Sequence, residues 1–111
     1  MPDIQFFDAA AFFAQKINEV EQTLIGKKAE MEILRANRRN LEWTIATMAL
    51  LTPDHQRAIA ADLASLKEVL NATERSMGGL EGEIELLSRK LGALQAAREL
   101  LAISESTEQG A

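Results

Sequence analysis

The sequence predicts an all-α fold: a long antiparallel coiled-coil helical hairpin that dimerises into a four-helix bundle. Apolar residues recur with a heptad period along most of the 111 residues, only two prolines occur, and the aromatic fraction is 5%. Strands are enriched in aromatic and β-branched residues, so this composition favours helices. A chain of this length lies within the range of one domain, and we predict a single hairpin over about residues 1–103.

The first arm carries an apolar seam in alternating steps of four and three residues. Lys27 and Arg38 interrupt the seam, but their methylene stems can cover apolar surface while their charges reach water. We therefore predict a first helix over about residues 5–50. The seam consists of Phe6, Ala10, Phe13, Ile17, Val20, Leu24, Met31, Leu34, Leu41, Ile45 and Met48.

A turn is predicted at about residues 51–53, where the first seam stops. Thr52 can cap a new helix, Pro53 suits its first turn, and Asp54 favours its positive N-terminal end. The next helix therefore starts near residue 53.

The second arm has a seam of its own, which keeps its phase across Gly78 and Gly79. A loop at these glycines would normally reset the phase, so we predict one second helix over about residues 53–103. The glycines weaken that helix by roughly 1 kcal/mol each relative to alanine and can bend it. Residues 104–111 are predicted to form a flexible tail. The seam consists of Ile59, Leu63, Leu66, Leu70, Met77, Leu80, Ile84, Leu87, Leu91, Leu94 and Leu101.

A tight turn near residue 52 also predicts which residues of the two arms face each other. The expected apolar pairs include Leu41 with Leu63, Leu34 with Leu70, and Leu24 with Leu80. The expected flanking ion pairs are Glu42 with Lys67, Arg35 with Glu74, and Lys28 with Glu81. All three ion pairs join opposite charges, which supports the antiparallel orientation.

A weaker apolar stripe follows the outside of the arms and is the first candidate for binding. It contains Ile25, Ile33 and Trp43 on the first arm and Leu86 on the second. Two helices alone have little core, so we expect a homodimer that covers part of this stripe. Trp43 is predicted to contact the second copy or to anchor a different protein, since tryptophan is common at interface hot spots.

Two phenylalanines lie off the seam near the N-terminus. Phe7 and Phe12 either anchor a partner protein or close the open end of the bundle. We include both among the candidate partner-binding residues.

The acidic residues offer a second candidate surface. Net charge is −5, which disfavours direct nucleic-acid binding because such binding depends on Lys and Arg. Glu81, Glu83 and Glu85 are interpreted as a solvated helix face. The alternative is an acidic decoy that imitates nucleic-acid phosphates.

The sequence contains no group of residues that indicates catalysis. It has no cysteine, and its one histidine, His55, lacks nearby ligands for a metal signature. We therefore predict no catalytic residue, cofactor or metal, and no enzyme activity.

A cytoplasmic protein is predicted, because the longest apolar stretches fall short of the ~20 residues of a membrane span. The beginning Met1-Pro2-Asp3 also lacks the basic region of a secretory signal. The leading functional hypothesis is a non-enzymatic protein–protein interaction module: an adaptor, a small chaperone or an inhibitor of a partner protein. The alternatives are the acidic decoy and a structural scaffold or stalk component.

Overall fold

The structure, a computed structural model, describes the backbone of residues 6–109 and the side chains of residues 6–105. Within these ranges it has three helices and no strand: α1 (Ala9–Met48), α2 (Pro53–Ala58) and α3 (Ala60–Gln109). The two long helices α1 and α3 pack against each other as a hairpin, which confirms the predicted fold class. α3 continues through Gln109, beyond the predicted end at residue 103, and residues 110–111 of the predicted tail lie outside the described residues.

Asp8 caps the N-terminus of α1. The backbone N–H of Ala11 donates to Asp8 Oδ1 over 3.0 Å, and that of Phe12 donates to the Asp8 carbonyl over 3.0 Å. These bonds satisfy amides that the first helical turn leaves without partners. α1 therefore begins at Ala9 rather than near residue 5. Phe6 precedes the helix and is 91% exposed, so its assignment to the buried seam is wrong.

The connection after α1 is held by side-chain hydrogen bonds. Thr52 caps α2 as predicted, because its hydroxyl accepts from the His55 N–H over 3.4 Å, and Pro53 lies in the first turn. Gln56 Nε2 donates to the carbonyls of Ala49 (3.0 Å) and Leu51 (2.7 Å), which follow the end of α1. Gln56 thus ties α2 to the turn that precedes it.

The second arm is interrupted at Ile59. Its backbone angles, φ −112° and ψ 16°, depart from helical values, and the chain re-enters a helix at Ala60. The prediction of one helix from residue 53 is therefore wrong at this point. Gly78 and Gly79, the predicted weak point, lie inside α3 with negative φ angles, so α3 is not broken there.

Contacts along the chain define two compact units. The first unit combines the residues up to Gly26 with those from Glu85 onward. Its buried side chains are Ile17, Val20 and Leu24, which occupy consecutive seam positions of α1. The predicted seam therefore does form the core of this unit.

The second unit runs from Lys27 to Ile84 and has a core of its own. The buried residues Met31, Met77 and Leu80 pack in one cluster, with the partly buried Leu34 and Ile84 against it. Beside this cluster Lys27 Nζ lies 2.9 Å from Glu83 Oε2, the one ion pair between α1 and α3 among the described residues.

These contacts correct the predicted register of the second unit. A turn near residue 52 would place Thr73 opposite Met31, whereas the structure packs Met31 with Met77 and Leu80. The difference is about one heptad repeat. Its physical cause is the break at Ile59, because α2 then belongs to the connection and α3 begins to pair with α1 further along the chain.

The predicted flanking ion pairs are also wrong. Arg35 pairs with Glu32 at 2.6 Å, and Glu42 pairs with Arg38 at 3.9 Å, each within α1. None of the three predicted pairs between the arms occurs among the described residues. The shifted register moves the intended partners apart, and Arg35 and Glu42 are paired within α1 instead.

We expect Gln56→Ala to lower the free energy of unfolding by about 1–2 kcal/mol, since it removes two hydrogen bonds to turn carbonyls. Urea denaturation followed by circular dichroism measures the change. Gln22→Ala, at an exposed position of α1, is the matched control and should change stability by less than about 0.5 kcal/mol. Equal effects of the two substitutions would show that the Gln56 bonds contribute nothing.

We expect Gly78→Ala to raise the free energy of unfolding by about 1 kcal/mol, because alanine reduces the entropy lost on helix formation. A Cβ at this position would meet no atom within 4 Å. Met77→Ala, one residue earlier in the core, should instead lower it by about 2–5 kcal/mol. A thermal melt that shows Gly78→Ala to be destabilising would mean that the helix is distorted at the glycine.

Candidate interaction surface

The largest exposed apolar side chain of the second unit is Trp43, which is 70% exposed. Trp43 lies two residues after Leu41 and two residues before Ile45, both of which are seam residues. Two residues correspond to about 200° around a helix, so Trp43 projects from the side of α1 opposite the seam. Ile33 on the same helix is 63% exposed. Both residues are open to contact as predicted.

The first unit carries the other candidates of the outer stripe. Ile25 is 61% exposed on α1, and Leu86 is 66% exposed on α3. The six predicted partner-binding residues thus divide between the two units: Ile33 and Trp43 belong to the second, and Phe7, Phe12, Ile25 and Leu86 to the first.

The phenylalanines form an aromatic cluster at the start of α1. The ring centroids of Phe7 and Phe12 are 5.6 Å apart, and those of Phe12 and Phe13 are 5.5 Å apart in an edge-on arrangement. Lys16 Nζ lies 5.8 Å from the Phe12 ring centroid, within the range of a cation–π contact. Phe7 remains 76% exposed, so this cluster still presents an aromatic surface to solvent.

The acidic candidates divide between two sides of α3. Glu83 pairs with Lys27, and Glu85 pairs with Arg89 one turn later on α3. Glu81 and Glu83 are two residues apart and therefore project from nearly opposite sides of the helix. Glu81 and Glu85 are four residues apart and share a face, on which Glu85 is paired with Arg89.

The Lys27–Glu83 pair perturbs one titration. The hydrogen bond with Glu83, and then the negative charge of that carboxylate, raise the pKa of Lys27 above its ordinary value of 10.5. This pair is partly open to solvent, so screening by water and salt limits its contribution to stability.

A groove between α1 and α3 of the second unit is the feature that the sequence interpretation missed. It has a volume of about 290 Å³, and none of its lining residues is charged. Its lining residues are Asn37, Asn40, Leu41, Thr44, Val69 and Thr73. The sequence could have indicated this groove, because the residues along one side of each seam are uncharged where the groove lies.

The polar side chains of this groove differ in whether their hydrogen-bond donors are already used within the helices. The Thr44 hydroxyl donates to the Asn40 carbonyl over 2.7 Å, and the Thr73 hydroxyl donates to the Val69 carbonyl over 2.9 Å. Both hydroxyl protons are therefore used within their own helices. The exposed amide of Asn37 can both donate and accept, so the groove offers a neutral hydrogen-bonding group beside apolar surface.

Within the described residues, no cluster of three or more His, Cys, Asp or Glu side chains is arranged to hold a metal ion. None of the described helices is both long and apolar enough to cross a bilayer. Comparison with protein-family models, curated proteins and solved structures yields no significant match to this chain.

We expect the stabilising effect of Glu83 to disappear in alkali. The pKa of Lys27 is higher in the folded state than in the unfolded state, so protonated Lys27 favours the folded state. This contribution is fully present below the unfolded-state pKa and is lost as pH rises through the folded-state pKa. The melting temperature of the wild type should therefore exceed that of Glu83→Gln at pH 8 and converge with it well above pH 10.5.

The chain suits this measurement because it contains neither tyrosine nor cysteine, so only lysines among its side chains titrate there. Glu81→Gln, which removes a nearby carboxylate that makes no ion pair among the described residues, is the control. A pH-independent difference between the wild type and Glu83→Gln would contradict the assignment.

Proposed function

We propose that this chain is a non-enzymatic protein–protein interaction module, which forms a homodimer and binds another protein as an adaptor, small chaperone or inhibitor. One observation carries the proposal: most large apolar side chains outside the seam are exposed, while the core is small. Among the described residues only six hydrophobic side chains are buried. A fold that leaves this much apolar surface in water gains stability when a protein covers it.

Trp43 is the residue we expect to contribute most to partner binding. Removal of a large apolar side chain from water contributes about 1.5–3 kcal/mol, and tryptophan is enriched at interface hot spots. The aromatic cluster at Phe7 offers a second contact in the first unit. Absence of cysteine and an acidic net charge of −5 are compatible with the cytoplasmic location that we propose.

Affinity capture from the native host, with quantification of every recovered protein, tests the proposal. We expect Trp43→Ala or Phe7→Ala to reduce recovery of the specific partner by at least about tenfold, which corresponds to a loss of about 1.4 kcal/mol. Ala46→Ser, a mild change at an exposed position of the same helix as Trp43, is the control.

A partner that is recovered equally with all variants would overturn the role of these aromatic residues. Growth of the purified chain past a dimer with increasing concentration, measured by light scattering, would instead favour the scaffold alternative. Capture that is lost on neutralisation of Glu81, Glu83 and Glu85 and unaffected by Trp43→Ala would favour the decoy.

A further inference from the structure

We infer that a second copy of this chain docks on the neutral groove of the second unit and leaves Trp43 free for a different protein. The neutral groove is the surface lined by Asn37, Asn40, Leu41, Thr44, Val69 and Thr73. This inference rests on the homodimer proposed above and identifies the face that forms it.

Charge distribution is the first reason to place a second copy there. The residues on the flank that contains the groove are uncharged along the middle of the unit, and charged residues return on this flank at Glu30 and Glu83. These uncharged residues are Ile33, Asn37, Asn40, Thr44 and Thr47 of α1 and Ser65, Val69, Ala72, Ser76 and Gly79 of α3. Ser76 and Gly79 continue this flank on α3 from Val69 toward the Lys27–Glu83 ion pair. In a twofold dimer a residue at the symmetry axis meets its own copy, so a charged residue there would face a like charge. A neutral face is the one that avoids this repulsion.

The opposite flank of the same unit is charged and unsuited to self-contact. Arg35 and Glu42 lie on this flank of α1, and Lys67 and Glu74 lie on this flank of α3. Arg35 is already paired with Glu32 within α1. Burial of this flank against its own copy would remove these charges from water, which costs free energy unless every charge meets an opposite one in the second copy.

The chemistry of the groove is self-complementary. An asparagine amide has both donors and an acceptor, so Asn37 or Asn40 can pair with the same residue of a second copy. Buried asparagine pairs are known to specify register and oligomeric state in coiled coils. The half-buried Leu41 lines the floor of the groove and supplies apolar surface that the second copy would cover.

Trp43 does not belong to this face. It leaves α1 on the side opposite the seam, and helices of a four-helix bundle turn the seam and one flank inward. Its 70% exposed side chain would therefore stay in water in the dimer. The two interactions of the proposed function then use different surfaces.

Sedimentation equilibrium of single variants tests the inference. We expect Asn40→Glu and Val69→Glu to weaken dimerisation at least about tenfold, because each places a charge against its own copy. Ala46→Glu adds the same charge at an exposed position on the charged flank, and Trp43→Ala removes the exposed ring. Both should leave the dimerisation constant unchanged. A dimer that resists both groove variants and is lost in Trp43→Ala would overturn the inference.

Thiol labelling provides a second measurement that does not depend on the folding of a charged variant. The chain has no cysteine, so Ser76→Cys and Ala46→Cys each report on one position. If the dimer shields this position, only the monomeric chains react. At a concentration where about nine chains in ten are dimeric, we therefore expect Ser76→Cys to be labelled about tenfold more slowly than in a dilute, monomeric sample. Ala46→Cys should react equally in both. Protection of Ala46→Cys alone would place the interface on the charged flank and contradict the inference.

These outcomes separate this inference from the proposed function. If the wild-type chain is monomeric at all concentrations, the homodimer itself is wrong, and the assignment of its face fails with it. If the wild type is dimeric but Ser76→Cys is never protected, the homodimer stands and only the face is wrong.

Discussion

Burial of one apolar seam between α1 and α3 is the interaction on which the rest of this structure depends. A helix that packs against a single neighbour can bury only one stripe of its surface, because the other sides have nothing to contact. The buried residues accordingly include Ile17 and Val20 in the first unit and Met31 and Met77 in the second, all at seam positions. Large apolar side chains off the seam, such as Ile25, Ile33 and Trp43, are therefore left exposed.

The connection between the long helices controls how that seam is paired. Thr52 begins α2, the Gln56 side chain bonds the turn carbonyls, and Ile59 interrupts the helix before α3 begins. These local interactions make the connection longer than a tight turn. In the second unit they place Met31 with Met77 and Leu80 and bring Lys27 to Glu83. A few polar contacts at one end of the unit thus decide which apolar residues meet within it.

The charged residues are paired mainly within single helices rather than between them. Most ion pairs join residues three or four apart on one helix, such as Arg35 with Glu32 and Arg89 with Glu85. Such exposed pairs contribute little stability, but they keep charges together on particular flanks. The other flank of the second unit is left neutral around Asn37 and Val69. This asymmetry is the reason we propose the neutral flank for self-association, and the exposure of Trp43 is the reason we propose it for a different partner.

The sequence by itself determined the fold class, the seam residues that form the two cores, the Thr52 cap and the exposure of Trp43. Each of these follows from local chemistry or from the helical period, which neighbouring residues specify without knowledge of distant ones. The start of α1 could have been predicted as well, because Asp8 is an ordinary capping residue placed just before the helix.

Only the tertiary structure decided the register, the ion pair between Lys27 and Glu83, and the neutral groove. A heptad pattern repeats, so a shift by one repeat keeps apolar residues opposite each other and is nearly invisible in the sequence. The break at Ile59 selects between these registers, although isoleucine is an ordinary seam residue with no sequence signal for a helix end. The pairing of Lys27 with Glu83 and the shape of the groove then follow from that choice, because both require side chains of two helices at one level.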